Sequence, residues 1–488
     1  MDKILNFTKR LIPKKIFKFF QPAYHFCLSW FSSLVYGWPS EKLIVIGVTG
    51  TTGKTTSAYL MAKMLESAGF RVGYTSTAMF SDGDKEWLND KKMTMVGRFF
   101  TQKILKQMVK NNCQYAIIET TSEGIRQWRH RFINYDILVF TGLYPEHIDS
   151  HGSFENYKKA KGKLFAHLKD CRTKYADDNK QVLKSDKGFK KIELNRVKKT
   201  IIANLDDKQA DYFLGFWGEL KFGYTKTPAS PNASQGGRKH ENTPTQGWSA
   251  SGGKTRKHIK GAEIVYYSDV KASEKGTSFK FSNKKIDLRL LGEFNATNSM
   301  NAVCVGLAQG IGLEKIKSGL EKIKGAPGRF EKINQGQNFT VIVDYAFEPK
   351  AVTKLYETVK LIPHKKIIHV LGSTGGGRDA ARRPKLGQLA GKKADFTIIT
   401  NEDPYDDDPN LIIRQVAEGA VGAGKKVNQD LFKILDRREA IKKALSLAKE
   451  GDLVLITGKG SEQAICAASG KKIPWDDRVV AREELQKL

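Results

Sequence analysis

Ile44-Val45-Ile46-Gly47-Val48-Thr49-Gly50-Thr51-Thr52-Gly53-Lys54-Thr55-Thr56 is an apolar, β-branched run that breaks into a glycine-rich turn and then into helix-forming sequence from Ser57 to Ser67. A strand feeding such a turn and a helix lets backbone N–H groups converge on phosphate oxygens. A lysine then reaches the terminal phosphates and a hydroxyl holds magnesium. Lys54 and Thr55 stand in those two places, so the stretch reads as an ATP site. Val48 occupies the place of the first glycine in the common form of this loop; the glycines here are Gly47 and Gly50.

Outward from this loop the pattern alternates. Strands are expected at 44–48, 71–75, 115–119 and 137–141, and helices at 55–67 and 99–111. Short apolar runs alternating with helices indicate a parallel sheet covered on both faces, with nucleotide sites at the carboxyl ends of its strands. A second α/β unit begins near Gly325, with strands at 339–343, 366–371, 396–400 and 453–457 and a helix at 409–421. The expected class is α/β: a central P-loop parallel-sheet ATPase domain over 41–324 and a C-terminal Rossmann-like α/β domain over 325–488, facing each other across a cleft. Residues 225–260 are rich in Gly, Ser, Thr, Pro and Lys and poor in aliphatic side chains, which predicts a disordered surface insertion.

The 488 residues suffice for several cores. The balance of 82 Lys+Arg against 52 Asp+Glu, a net charge of +30, favours acidic partners without choosing among them. The basic residues are spread along the chain with no arginine-rich tail, so no nucleic-acid partner is expected. Five scattered cysteines without a Cys-x-x-Cys pair argue for a reducing, cytoplasmic setting and against a zinc ribbon. Residues 1–40 carry Lys3, Lys9, Arg10, Lys14, Lys15 and Lys18 ahead of an uncharged aromatic stretch, 19–40. Pro22 and several polar residues argue against a membrane span. A helix packed on the body and a peripheral interfacial helix both remain open.

Glu119-Thr120-Thr121-Ser122 follows the strand ending at Ile118, which puts Glu119 at a strand end where a carboxylate suits magnesium beside a triphosphate. Thr141-Gly142-Leu143-Tyr144-Pro145-Glu146-His147-Ile148-Asp149-Ser150-His151-Gly152 and Tyr157-Lys158-Lys159-Ala160-Lys161-Gly162-Lys163-Leu164-Phe165 come next. The Thr-Gly-Thr-x-Gly-Lys-Thr-Thr loop, the Glu-x-x-Ser segment and these two segments occur in the same order in the Mur ligases. The chain resembles that family, most of all its tripeptide synthetase (MurE) branch, over about residues 41–488 outside the insertion. These are ATP-dependent amide-forming enzymes of peptidoglycan precursor synthesis.

The resemblance implies an ATP site of Gly50, Thr51, Thr52, Gly53, Lys54, Thr55, Thr56, Asn295, Asn298, Arg329 and Asp344. It implies Thr55 and Glu119 as ligands of one magnesium and His147 of another, with Lys161 carbamylated by carbon dioxide so that it shares the second ion. Lys54, Glu119, His147 and Lys161 are thus the expected catalytic set. Thr94, Thr121, Gln127 and Arg129 fall where relatives touch the muramoyl substrate. Arg383, Asp403, Tyr405, Gly458 and Glu462 fall around the incoming amino acid. Three departures stand out: Phe347 and Ser461 replace family histidines, and Tyr405 stands where the arginine of a diaminopimelate-binding motif would be. Loss of that arginine and gain of acids makes lysine or another basic residue at least as good a candidate. Members of this branch grip the uridine diphosphate with a separate N-terminal domain of about a hundred residues. Residues 1–40 stand in its place here, so an unusual donor end is expected.

The expected partners are therefore a UDP-muramoyl-peptide and a free amino acid, handled by a monomer. Rival readings are another amide ligase of the superfamily (folylpolyglutamate or cyanophycin synthetase-like), a nucleic-acid-binding P-loop ATPase, and an idle membrane-tethered scaffold. The intact set Lys54, Thr55, Glu119, His147 and Lys161 argues against the last.

Overall fold

The computed structural model describes residues 14–146, 151–186, 195–227, 261–377 and 380–488. Strand Ile44–Thr49 lies in the middle of an eleven-stranded sheet, where every one of its residues is buried. Its side chains alternate between two cores: Ile44, Ile46 and Val48 enter one, and Val45, with Leu43 just before the strand, the other. Tyr115–Glu119 and Ile137–Phe140 flank it in parallel and divide their side chains in the same way. A strand buried on both faces has no need of polar alternation, which is why these segments read as continuous apolar runs.

Parallel neighbours extend outward through Val72–Thr75 on one side, and on the other through Thr200–Asn204, Leu220–Lys226 and Glu263–Ser273. Both edges then turn antiparallel: Met79–Ser81 and Glu86–Leu88 finish one, Gly276–Phe281 and Lys284–Leu288 the other. The sheet is therefore parallel through its centre, as the sequence suggested, and antiparallel at its two edges. Parallel pairing needs a long crossover, whereas the short connections at these edges permit only hairpins. Strand Leu220–Lys226 runs past the expected start of the insertion at Thr225; the rest of that segment, 228–260, lies outside the described residues.

The second sheet has six strands, in the order Glu331–Ile333, Thr340–Asp344, Leu453–Thr457, Ile367–Leu371, Phe396–Ile399, Leu431–Lys433. All its pairs are parallel except the first. Alternate residues again supply two cores, Ile342 in one and Val341 and Val343 in the other.

A small antiparallel sheet, Thr173–Ala176 with Val182–Asp186 and Asn195–Val197, adds Ala176, Val182 and Val197 to the core of the main sheet and is also tied to it by buried charge. The fully buried Asp136 accepts from Lys174 Nζ at 2.5 Å, Lys199 Nζ at 2.8 Å and the Val45 amide at 2.8 Å. Lys174 also donates to the carbonyls of Leu43 and Asn134, each at 2.6 Å. The helix Lys14–Tyr36 runs through Pro22 and rests on the segment around Trp128 and on the helix Arg98–Lys110. No described helix is long and apolar enough to cross a membrane.

Candidate active site

The loop after strand Ile44–Thr49 needs glycine at its turn. Gly53 has φ +79°, and a β-carbon there would sit 2.6 Å from Asn298 Oδ1. Helix Lys54–Ser67 starts at once, so its free N–H groups and positive dipole end point into the cleft, a natural seat for phosphate. Val48 pairs with Glu119 across the sheet, and this register brings the Glu119 carboxylate to the helix start, where Thr55 Oγ1 donates to it at 2.9 Å. The Thr77 hydroxyl and amide also donate to Glu119, at 3.0 and 2.8 Å, and the Thr77 hydroxyl meets that of Thr94 at 2.8 Å. The adjacent strand end supplies Thr141, whose hydroxyl donates to the Thr52 carbonyl at 2.7 Å and steadies the loop.

Thr55 and Glu119 offer a hydroxyl and a carboxylate, hard oxygen donors that fit magnesium. Among the described residues no group of three or more His, Cys, Asp or Glu is arranged to hold a metal by itself. His147 and Asp149 lie outside the described residues. His151 is described: its Nε2 lies 3.1 Å from Ser122 Oγ, and burial holds its imidazole below the ordinary range.

Lys161 comes from helix Phe154–His167 and is buried beneath the loop, donating to the Gly50 carbonyl at 2.9 Å with its amine 4.7 Å from the centre of the Tyr157 ring. Burial, reinforced by the nearby Lys54 charge, holds its amine well below the usual lysine range. Lys54 donates to the Thr51 carbonyl at 2.8 Å, and its pKa is also lowered, mainly by burial.

The second unit closes the other wall. Arg329 Nη2 donates to Thr55 Oγ1 at 3.1 Å, and its guanidinium lies 4.3 Å from the Tyr345 ring centre. Asp344 accepts from the amides of Phe330 and Ala346, each at 2.7 Å, and burial raises its pKa. Asn295 and Asn298 bond to each other at 3.2 Å on helix Phe294–Ala308. Between the walls runs a cleft of about 1230 Å³, lined by Lys54, Glu119, Asn298, Arg329, Asp344 and Glu462, among others.

The remaining candidates separate. Thr94, Thr121 and Arg129 line the cleft, as do Asp403, Tyr405, Gly458 and Glu462. Gln127 lies beside it, bonded to Glu123 at 2.8 Å and Arg129 at 2.5 Å. Arg383 is turned into the body, donating to Gln415 at 2.7 Å, the Thr374 carbonyl at 3.2 Å and Asp407 at 3.1 Å. Arg382, its neighbour, lines the cleft instead, 5.3 Å from the centre of the Phe347 ring. Phe347 stacks edge-on against Tyr345 at 5.2 Å.

Three residues absent from the expected set belong here. Glu348 is buried in the cleft wall, accepts from Tyr144 Oη at 2.7 Å, and acts electrostatically on both Lys54 and Lys161. Its only sequence signal is its place after Asp344-Tyr345-Ala346-Phe347. Lys92 reaches across the cleft to Asp403 Oδ2 at 2.9 Å and to Glu462, where Lys459 also binds Asp403 at 2.7 Å and Glu462 at 2.8 Å. Nothing in the sequence marks Lys92 among so many lysines. Glu402 is buried with Oε2 lacking a hydrogen-bond partner, and burial and the Asp403 charge push its carboxyl up to about 7.

Comparison with known proteins agrees with this geometry. The Mur ligase middle domain family matches residues 48–213, and the Mur ligase glutamate ligase domain family matches residues 328–460. A UDP-N-acetylmuramyl-tripeptide synthetase of Roseiflexus sp. (strain RS-1) is 33% identical over 93% of this chain and 80% of its own length. A UDP-N-acetylmuramoyl-L-alanyl-D-glutamate--2,6-diaminopimelate ligase of Geobacillus kaustophilus is 31% identical over 92% of this chain and 80% of its own. A solved structure of another such diaminopimelate ligase superposes with a TM-score of 0.53 at 25% identity, covering 91% of this chain and 79% of that one.

Proposed function

Because the chain belongs to the Mur ligase family, we propose that it is an ATP-dependent ligase joining an amino acid to the peptide carboxylate of a UDP-N-acetylmuramoyl-peptide, in peptidoglycan precursor synthesis. The observation that carries this reading is the convergence of Lys54, Thr55 and Glu119 with Arg329 of the second unit at one end of a shared cleft. Residues 41–324 are assigned the ATP-binding role and 325–488 the amino-acid-binding role. The enzyme acts as a cytoplasmic monomer whose residues 1–40 touch the membrane peripherally.

The donor carboxylate attacks the γ-phosphorus in line; the bond to the bridging oxygen breaks, ADP leaves, and an acyl phosphate forms. Lys54, the loop N–H groups and Arg329 hold the phosphates and offset charge as it moves to the leaving oxygen. Magnesium, held by Thr55 and Glu119, would polarise the phosphoryl oxygens. The amine of the second substrate then attacks the acyl carbon and expels phosphate, losing a proton. Thr94, Thr121, Gln127 and Arg129 are assigned to the muramoyl end. Closure of the two walls positions amine against acyl phosphate and excludes water.

Lys161 is assigned as a carbamate. Burial holds its amine well below the usual lysine range, which favours the nucleophilic free base; attack on carbon dioxide with loss of a proton gives a carboxylate that, with His147, would hold a second magnesium. At the other end, Asp403 and Glu462 already gather two ammonium groups, those of Lys92 and Lys459. This favours an incoming amino acid with a basic side chain, seated among Tyr405, Gly458 and Glu462, with Arg382, which lines the cleft where Arg383 does not, on its carboxylate.

The deciding experiment is an amino-acid panel with ATP and UDP-muramoyl-dipeptide, read by ADP release and product mass. Turnover that requires the muramoyl acceptor and prefers lysine or another diamino acid is the expected result. Turnover with a pteroyl acceptor or a free polypeptide instead overturns the assignment.

A further inference from the structure

The helix Lys14–Tyr36 is packed with its polar side inward. Ser29, Ser32 and Ser33 are buried against the body, and Ser29 Oγ donates to the Trp128 carbonyl at 2.9 Å while accepting from Arg98 Nε at 2.9 Å. Ser33 Oγ reaches the carbonyls of Ser29 at 3.1 Å and Phe132 at 3.4 Å. Phe26 packs edge-on against Trp128 and Phe132, but most of the other large side chains are open to solvent: Phe20 is 59% exposed, Tyr24 39%, Trp30 44%, Phe31, whose ring edge touches Phe99, 49%, Leu34 47% and Val35 49%. Positions 20, 24, 31, 34 and 35 follow the 3–4 spacing of one helix face. An amphipathic helix that sheltered its aromatic stripe in the core would have the opposite orientation. A contiguous exposed apolar stripe of this kind marks a surface that is covered in use.

The charge around the stripe selects what covers it. From Lys3 to Ser40 the chain has no Asp or Glu, and Lys3, Lys9, Arg10, Lys14, Lys15 and Lys18 all lie at the start of the helix or before it. A second copy docked through the same face would offer no acid from its own helix to these basic residues, since 3–40 contains none. An anionic lipid surface answers both features, taking the basic end at the headgroups and the Trp, Tyr and Phe rings at the acyl boundary. Nor is the helix of a kind that could cross the bilayer.

We propose that helix Lys14–Tyr36 is an interfacial docking element whose aromatic face enters the headgroup region of an anionic bilayer. The docking has a direction. Arg98, which binds Ser29, also donates to the Gln127 carbonyl, and Gln127 Oε1 accepts from Arg129 at 2.5 Å. One layer of side chains therefore separates the helix from the muramoyl end of the cleft, so the docked enzyme receives its donor at the membrane surface. That last clause rests on the ligase assignment; the docking itself does not.

The test uses the full chain without substrates, sedimented with vesicles of phosphatidylglycerol and phosphatidylcholine or of phosphatidylcholine alone. At least tenfold tighter binding to the anionic vesicles is expected, weakened severalfold at high salt. The double variant Trp30→Ser, Phe31→Ser, exposed and outside the cleft, should lose at least tenfold of that binding while keeping its circular dichroism and its turnover in solution. Vesicle quenching of tryptophan emission by brominated lipid should disappear with it. Equal binding by wild type and variant, binding indifferent to lipid charge, or a concentration-dependent dimer with no vesicle binding each overturns the proposal. Failure of the amino-acid panel with intact vesicle binding removes the ligase reading alone, and the reverse result removes the docking alone.

Discussion

The helix Phe154–His167 places Lys161 beneath the phosphate loop, where it donates to the Gly50 carbonyl and burial holds its amine well below the usual lysine range. Under the proposed carbamate assignment, alanine removes the carboxylate, so Lys161→Ala should lower turnover at least a hundredfold. A short carboxylic acid added to the assay should restore part of it; full activity without the acid removes the carbamate assignment. Glu402 supplies a second test through stability. Its carboxyl titrates near 7 in the folded chain against an ordinary 4.5, so between these values the folded state keeps a proton that the unfolded state releases. Stability therefore falls as pH rises through this window, by up to about 3 kcal/mol. Glu402→Gln should gain that amount on the wild type at pH 8 relative to pH 4, measured as the difference in urea midpoints. Gly53→Ala tests the loop itself: with φ at +79° and Asn298 Oδ1 2.6 Å from the added carbon, nucleotide affinity should fall at least tenfold by calorimetric titration.

At the scale of elements, the strands of both sheet centres were legible because burial on two faces leaves an uninterrupted apolar run, as in 44–48, 115–119 and 453–457. The edges were not. Met79–Ser81 and Glu86–Leu88 are three residues each and half-exposed in part, too short to show a period. The sheet around Thr173–Ala176 was silent for another reason: it is held in part by Asp136, Lys174 and Lys199, and a lysine bound for the interior looks in sequence like any surface lysine. The same blindness hid Lys92, whereas Lys54, Thr55 and Glu119 could be read from motifs that fix both type and spacing. The Asp136 cluster makes a firm prediction. Asp136→Asn leaves two buried ammonium groups without their carboxylate, a loss of about 3–5 kcal/mol, and the thermal midpoint should drop accordingly. Lys174→Met, which removes one of the two cations and leaves the other paired, should cost much less.

For the molecule as a whole, described side chains of the two units bond across the cleft at both of its ends. At the nucleotide end stand Arg329 with Thr55 at 3.1 Å, and Tyr144, which donates to Glu348 at 2.7 Å and has the Lys350 ammonium 4.1 Å from its ring centre. At the other end Lys92 of the central unit is held between Asp403 and Glu462 of the second, nearly shielded from water. Inter-domain surfaces of this kind ordinarily permit relative motion, so the closed arrangement depends on such bonds. Removing the Lys92 cation leaves Asp403 and Glu462 with Lys459 as their remaining lysine, and a buried pair broken from one side loses about 3 kcal/mol. Lys92→Ala should shift the molecule toward an open form, seen as a larger radius of gyration in small-angle scattering. Nucleotide affinity should stay within threefold, because the loop, Glu119 and Arg329 are untouched. A variant with unchanged scattering would show that the nucleotide-end contacts hold the cleft by themselves. The amino-acid KM separates two roles for the residue. If the Lys92 ammonium competes with the substrate for the acid pair, KM falls in the variant; if it serves only to bring the walls together, KM rises.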